Sequence, residues 1–295
     1  MDDNELGSGH GNDAVSERAH KPVANSLGTS LCHWLPCAAS VLFARPMSAQ
    51  QPPSPLLGDT VVARVDQPRT SALASAHYLL THDGFLDSLV TSLNRNFRLP
   101  ARLELLGTEC GSAKGGYSRA DRRIVICYEL IAAIRDEWVK VAPGTSQDDR
   151  TRDLATQFAT VFVIHHEVGH ALIDLLDIPV VGREEDAADQ FAAFYSLLHG
   201  TADPLTSALY VLGLWGAQED ARTLAALGDE HALQLQRMLN LVCWIHGSGS
   251  KLQPSLLAML PESRRSNCHD EFERLANSWS VLLWPYTRSV RRQHK

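Results

Sequence analysis

The sequence predicts an α+β fold in which a small N-terminal sheet packs on one central helix and the C-terminal half is mostly helical. Three observations carry that reading. Short β-branched runs cluster between residues 60 and 127, apolar residues recur at helical spacing after Cys127, and one helical segment holds a His-Glu-Val-Gly-His motif. Strand signals that precede helix signals, instead of alternating with them, mark the α+β class.

The first 55 residues stand apart. Residues 1–25 are polar, rich in Gly, Asp and His, and without periodicity, the composition of a disordered segment. An apolar run from Leu31 to Ala44 follows Arg18 and Lys21, and Met47-Ser48-Ala49 and a proline-rich linker come after it. That order is the plan of a secretory signal, although His33 and Pro36 interrupt the run. The expectation is a secreted or periplasmic protein, with the cytoplasm as the alternative. No stretch approaches the ~18 apolar residues of a membrane span.

Cysteine usage agrees with export. If Cys32 and Cys37 leave with the leader, Cys110, Cys127, Cys243 and Cys268 remain. Cys110 and Cys127 flank a turn-rich stretch and could clip a hairpin, while Cys243 and Cys268 would join two C-terminal helices. All three pairings of four cysteines stay open.

Residues 56–287 are expected to form one domain: 56–176 with the sheet and the motif helix, then 177–287 as a helical lobe. Val61–Val65, Arg102–Leu106 and Arg123–Cys127 read as strands, and His82–Asn96 as a helix. Beyond them, helices are expected at about Tyr128–Val141, Thr151–Leu176, Arg183–Leu198, Pro204–Gly216, Glu230–His246 and Asp270–Leu283. A basic tail, 288–295, closes the chain. The formal net charge of −7 argues against a nucleic-acid binder, which would show a basic surface. Oligomeric state has no signature here.

The motif is where the chemistry lies. Positions four apart share a helix face, so His166 and His170 can reach one metal ion, and Glu167 can act on a water that the metal binds. Leu154, Phe158, Val161, Phe162, Ile164, Val168 and Leu172 make the surrounding helix apolar enough to be buried. Two histidines in such a place need partners, because unpaired buried polar groups are costly. His165 faces elsewhere and reads as a bystander.

A catalytic zinc site takes three protein ligands and leaves a position to water. Position 176 is Leu, which excludes a third histidine six residues on, and Asp174 on the same helix would close a tetrahedron poorly. After the Pro179–Gly182 turn, Glu185 and Asp189 lie four apart on one face of the next helix. Glu185 is the expected ligand, with Glu184 the fallback.

That arrangement resembles the gluzincins, zincin-like peptidases in which a glutamate on the following helix completes the metal triad. The resemblance implies that Asp189 hydrogen-bonds a ligating histidine. It narrows further. His166–Asp174 with Ile178–Phe191, Glu109-Cys110-Gly111, Ile126–Leu130, Asp229-Glu230-His231 with Gln236-Arg237 and Asn240, and Ser278-Trp279 with Leu282-Leu283 look like a bacterial metallopeptidase family whose domain is of unknown function. The likeness runs from about residue 60 to 286. One element departs: Lys114-Gly115-Gly116-Tyr117 stands where that family carries an Asn-Ala-aromatic element beside the substrate backbone.

The activity implied is zinc-dependent hydrolysis of a peptide or protein substrate, with Zn2+ on His166, His170 and Glu185. Glu167 would be the general base, and His231 the donor to the oxyanion. Tyr128, Tyr210 and Arg237 are rivals for that last role. A catalytically silent zinc scaffold, or an amidase acting on a cell-wall peptide, are the alternative readings.

Overall fold

The computed structural model describes Gly58 and residues 60–141, 149–198 and 201–288. The expected leader, with Cys32 and Cys37, and the tail beyond Arg288 lie outside the described residues.

The β-branched runs form a four-stranded sheet. β1 (Val61–Val65), β2 (Leu103–Thr108), β3 (Gly115–Ser118) and β4 (Arg123–Cys127) lie in the order β1-β2-β4-β3. β1 and β4 run parallel to β2, and β3 returns antiparallel to β4 at the sheet edge. The parallel β1–β2 pair needs a crossover, which α1 (Ala74–Thr81) and α2 (Phe85–Asn96) supply. Helix α1 is absent from the sequence reading, and the helix expected from His82 begins at Phe85. Between them Asp83 (φ 53°) and Gly84 (φ 64°) are left-handed, which breaks one helix into two. Buried Asn94 on α2 accepts from the amides of Thr60 and Val61 at 3.0 and 2.9 Å and donates to the Val61 carbonyl at 2.8 Å. It thus closes edge backbone of β1 that would otherwise be unpaired.

The rest is helical. α3 (Tyr128–Val141), α4 (Asp149–Leu175), α5 (Glu184–Leu198), α6 (Asp203–Gln218), α8 (Gln234–Gly247) and α11 (Cys268–Leu283) are the longer elements. The single turns α7 (Leu224–Leu227), α9 (Pro254–Leu257) and α10 (Glu262–Arg265) connect them. This is the expected α+β plan, a small sheet followed by helices. Two disulfides brace it: Cys110–Cys127 encloses the β3 hairpin and Cys243–Cys268 ties α8 to α11. No described helix is long and apolar enough to cross a membrane.

Helix α4 is the axis, about 40 Å long at 1.5 Å per residue. It meets β3 and β4 at the sheet edge, and α3, α5 and α6 elsewhere. That all-round packing is why its stretch from Ala159 to Leu175 is almost wholly buried. Asp177 ends it in a left-handed conformation (φ 52°), with the Ile178 amide returning to the Ile173 carbonyl at 3.0 Å. The chain then reverses and α5 packs back along α4. The contact is close at Gly169, where a Cβ would sit 3.0 Å from the Ala188 Cα.

Candidate metal centre

The α4–α5 pair builds the site. His166 and His170 sit one turn apart on α4, and Glu184 and Glu185 in the first turn of α5 point at them. The Glu185 Oε2 lies 3.0 Å from His166 Nε2 and 3.3 Å from His170 Nε2, and the two Nε2 atoms are 3.1 Å apart. Among the described residues, these three form one of the groups whose donor atoms all fall within 4.8 Å of one another.

The outward nitrogens explain what the inward ones are for. His166 Nδ1 donates to Asp189 Oδ1 at 2.8 Å, and His170 Nδ1 donates to Glu184 Oε1 at 2.8 Å. Each carboxylate is held in turn by an arginine. Arg237 grips Asp189 with two bonds of 2.8 Å, and Arg119 reaches Glu184 at 2.5 Å. With Nδ1–H spent in this way, each neutral ring presents a bare Nε2 lone pair to the other. Two lone pairs and a carboxylate oxygen at about 3 Å repel unless a cation lies among them, so the donor set fits a metal ion.

Ionisation tells the same story. Burial opposes charge on His170, but its bonds to Glu185 and Glu184 outweigh this and push its pKa up to about 9. His166 is likewise raised, burial being overcome by Asp189 and Glu185. Burial also works against a charged Glu185, yet the three surrounding histidines hold it well below the usual carboxylate range. Asp189 is lowered too, burial being overcome chiefly by the charge of Arg237. Both histidine shifts run in the direction that favours a positive charge among these atoms.

A cavity of about 530 Å³ opens onto these atoms. It is lined by Glu167 and His170 of α4, by Gly115, Gly116 and Tyr117 of β3, and by Asp229, Glu230 and His231. Burial pushes the Glu167 carboxyl up. His231 turns Nε2 onto Glu185 Oε2 at 2.9 Å, while Asp229 holds its Nδ1 at 3.1 Å and its amide at 2.9 Å. The Tyr117 hydroxyl donates to Asp174 Oδ2 at 2.8 Å and pins β3 to α4.

Several expectations change on this geometry. Glu184, the fallback ligand, faces the outer nitrogen of His170 and not the cluster. The helix expected from Glu230 starts at Gln234, so Asp229, Glu230 and His231 belong to the loop before it. The rivals to His231 do not line the cavity. Tyr128 is buried and donates to the Asp66 and Gly107 carbonyls, Tyr210 donates to Gln253 at 3.4 Å, and Arg237 is spent on Asp189. His165 pairs with Ser196 at 3.0 Å, away from the cluster. Arg119 has no counterpart in the sequence reading. It lies 65 residues from Glu184 in a hairpin turn, where a charged residue carries no local signal.

Two histidines one turn apart, a carboxylate from the following helix and a glutamate on the adjoining cavity define an HExxH-type metal-site protein. The chain belongs to one family of that class, described as "Putative metallopeptidase", whose model matches residues 65–283. No curated protein and no solved structure matches it.

Proposed function

We propose that this protein is a gluzincin-like zinc peptidase. The observation that carries the reading is the placement of Glu167 on a cavity wall beside the converging donors of His166, His170 and Glu185. Zinc is supported by the donor set and its spacing. Nitrogen and oxygen ligands at about 2.0–2.1 Å from a tetrahedral ion stand roughly 3.3 Å apart, against separations here of 3.0, 3.1 and 3.3 Å.

The ion would supply Lewis acidity, polarising the scissile carbonyl and acidifying a water. The side chains do the rest. Glu167, whose carboxylate is destabilised by burial, takes the proton of the attacking water and returns it to the leaving amine. His231, steadied by Asp229, donates from Nε2 to the developing oxyanion. β3 has no strand partner on its outer side among the described residues, so an extended peptide can pair with its backbone. That main-chain grip needs no asparagine side chain, which answers the departure at Lys114–Tyr117. The domain is taken as 56–287, and the two disulfides favour an exported chain.

The test is a peptide-library cleavage screen of wild type against Glu167→Gln, with zinc measured in both. One zinc per chain, cleavage by wild type and none by the variant is the expected result. Equal cleavage by both removes Glu167 as the base, and a wild type that takes up no zinc removes the reading.

A further inference from the structure

The β3–β4 hairpin, which forms the cavity wall, is tied to the metal cluster by one chain of polar contacts. Arg119, in the turn after β3, reaches Glu184 Oε2 at 2.5 Å, and Glu184 Oε1 takes the His170 Nδ1 proton at 2.8 Å. The second contact by which this hairpin is held to the motif helix is Tyr117 to Asp174. The corresponding brace on His166 is fully internal: Asp189 is buried and the Arg237 side chain is 12% exposed. The Arg119 side chain is 61% exposed and that of Glu184 31%. One histidine is therefore braced from the core and the other from the rim of the cavity.

We propose that Arg119 and Glu184 are positioning residues that latch the β3–β4 hairpin to His170, so that the cavity wall and the metal are held in one register. The inference rests on the proposed zinc site but adds residues to it. A carboxylate on the outer nitrogen fixes ring orientation and strengthens the ligand, and removing such a partner costs about 10- to 100-fold in metal affinity. Arg119 acts at one further remove. It fixes the carboxylate rotamer, which would otherwise swing to solvent from the first turn of α5. Its exposure also makes the latch salt-sensitive, because attraction between exposed charges is screened within about 3 Å at 1 M ionic strength.

The experiment measures zinc release to an excess of chelator from full-length protein, for wild type, Arg119→Ala, Arg119→Lys, Glu184→Ala and the double alanine variant. Arg119→Ala should release zinc about 10-fold faster, and Arg119→Lys should recover most of the difference. The double variant should release no faster than Glu184→Ala alone, since both substitutions break one path. Salt at 1 M should speed release from wild type but not from Arg119→Ala. Cobalt-substituted Arg119→Ala should show a broadened visible spectrum, which a merely structural loss elsewhere would not produce. Release from Arg119→Ala at the wild-type rate, or effects that multiply in the double variant, would overturn the latch while leaving the zinc site itself untouched. No zinc in wild type would instead strike the proposed function.

Discussion

Gly169, between the two histidines, sets how near α5 can come, and Gly169→Ala measures the value of that approach. A Cβ there would lie 3.0 Å from the Ala188 Cα and 3.3 Å from both the Ala188 carbonyl oxygen and the Phe191 Cβ. Carbon atoms settle at about 3.5–4.0 Å, so the helices must part by about 0.5–1 Å. The atoms struck are backbone and a Cβ, which cannot swing aside. Overpacking of this kind costs about 1–3 kcal/mol, offset by about 1 kcal/mol of helix propensity gained over glycine. The zinc-free fold therefore loses at most about 2 kcal/mol, a few degrees of Tm for a domain this size. The proposed ligand set should suffer more. Glu185 lies on α5 within a turn of Ala188, so the whole displacement opens separations that now stand at 3.0 and 3.3 Å. Zinc affinity should fall at least about tenfold, roughly 1.4 kcal/mol. A chelator-competition titration reads this, with a melt of the stripped protein beside it. Gly116→Ala is the control, because its Cβ would meet nothing within 4 Å. Unchanged zinc affinity in Gly169→Ala would refute the reasoning.

Other perturbations follow the same geometry. Asp189→Ala strands the buried Arg237 charge and should cost about 3–5 kcal/mol, read as a loss of about 10 °C or more in Tm; a shift under 2 °C would mean that the pair is solvated. In zinc-free protein the His170 pKa is raised from 6.5 to about 9, so its stabilising contribution is complete below about 6.5 and fades as pH climbs through 9. Uptake of the proposed zinc near pH 7.5 should then expel protons and tighten toward pH 9, which calorimetry in buffers of differing ionisation enthalpy will detect; uptake without proton release contradicts the charge assignment. Reducing Cys243–Cys268, which spans 25 residues, should remove about 3.5 kcal/mol by the loop-entropy relation, visible as a lower denaturation midpoint.

Much of this was legible from the sequence because the informative contacts are local. α3 runs from Tyr128 to Val141 as expected, and the face shared by Glu185 and Asp189 follows from helical spacing alone. Glu184, one residue earlier, is turned about 100° away, which is why it reaches the far side of His170 instead of the cluster. β3 was hidden because Gly115-Gly116 reads as turn and lacks a β-branched pattern. Its strand state comes from pairing with β4, a tertiary effect that propensity does not carry. Helix α1 is similarly faint: only Ala76, Leu79 and Leu80 are buried, too few to show a periodic stripe. Arg119 lies 65 residues from Glu184, a distance at which a single charge leaves no mark. Arg237, 48 residues from Asp189, reads in the sequence as a rival oxyanion donor because its carboxylate partner is similarly remote.

The short reach of the α4–α5 turn has a consequence for assembly. His166 and Glu185 are 19 residues apart, and closing so short a loop is entropically cheap compared with joining distant segments. The three donors thus come from one local helical hairpin, which a bound metal would stabilise directly, while the Arg237 bond to Asp189 joins that hairpin to α8.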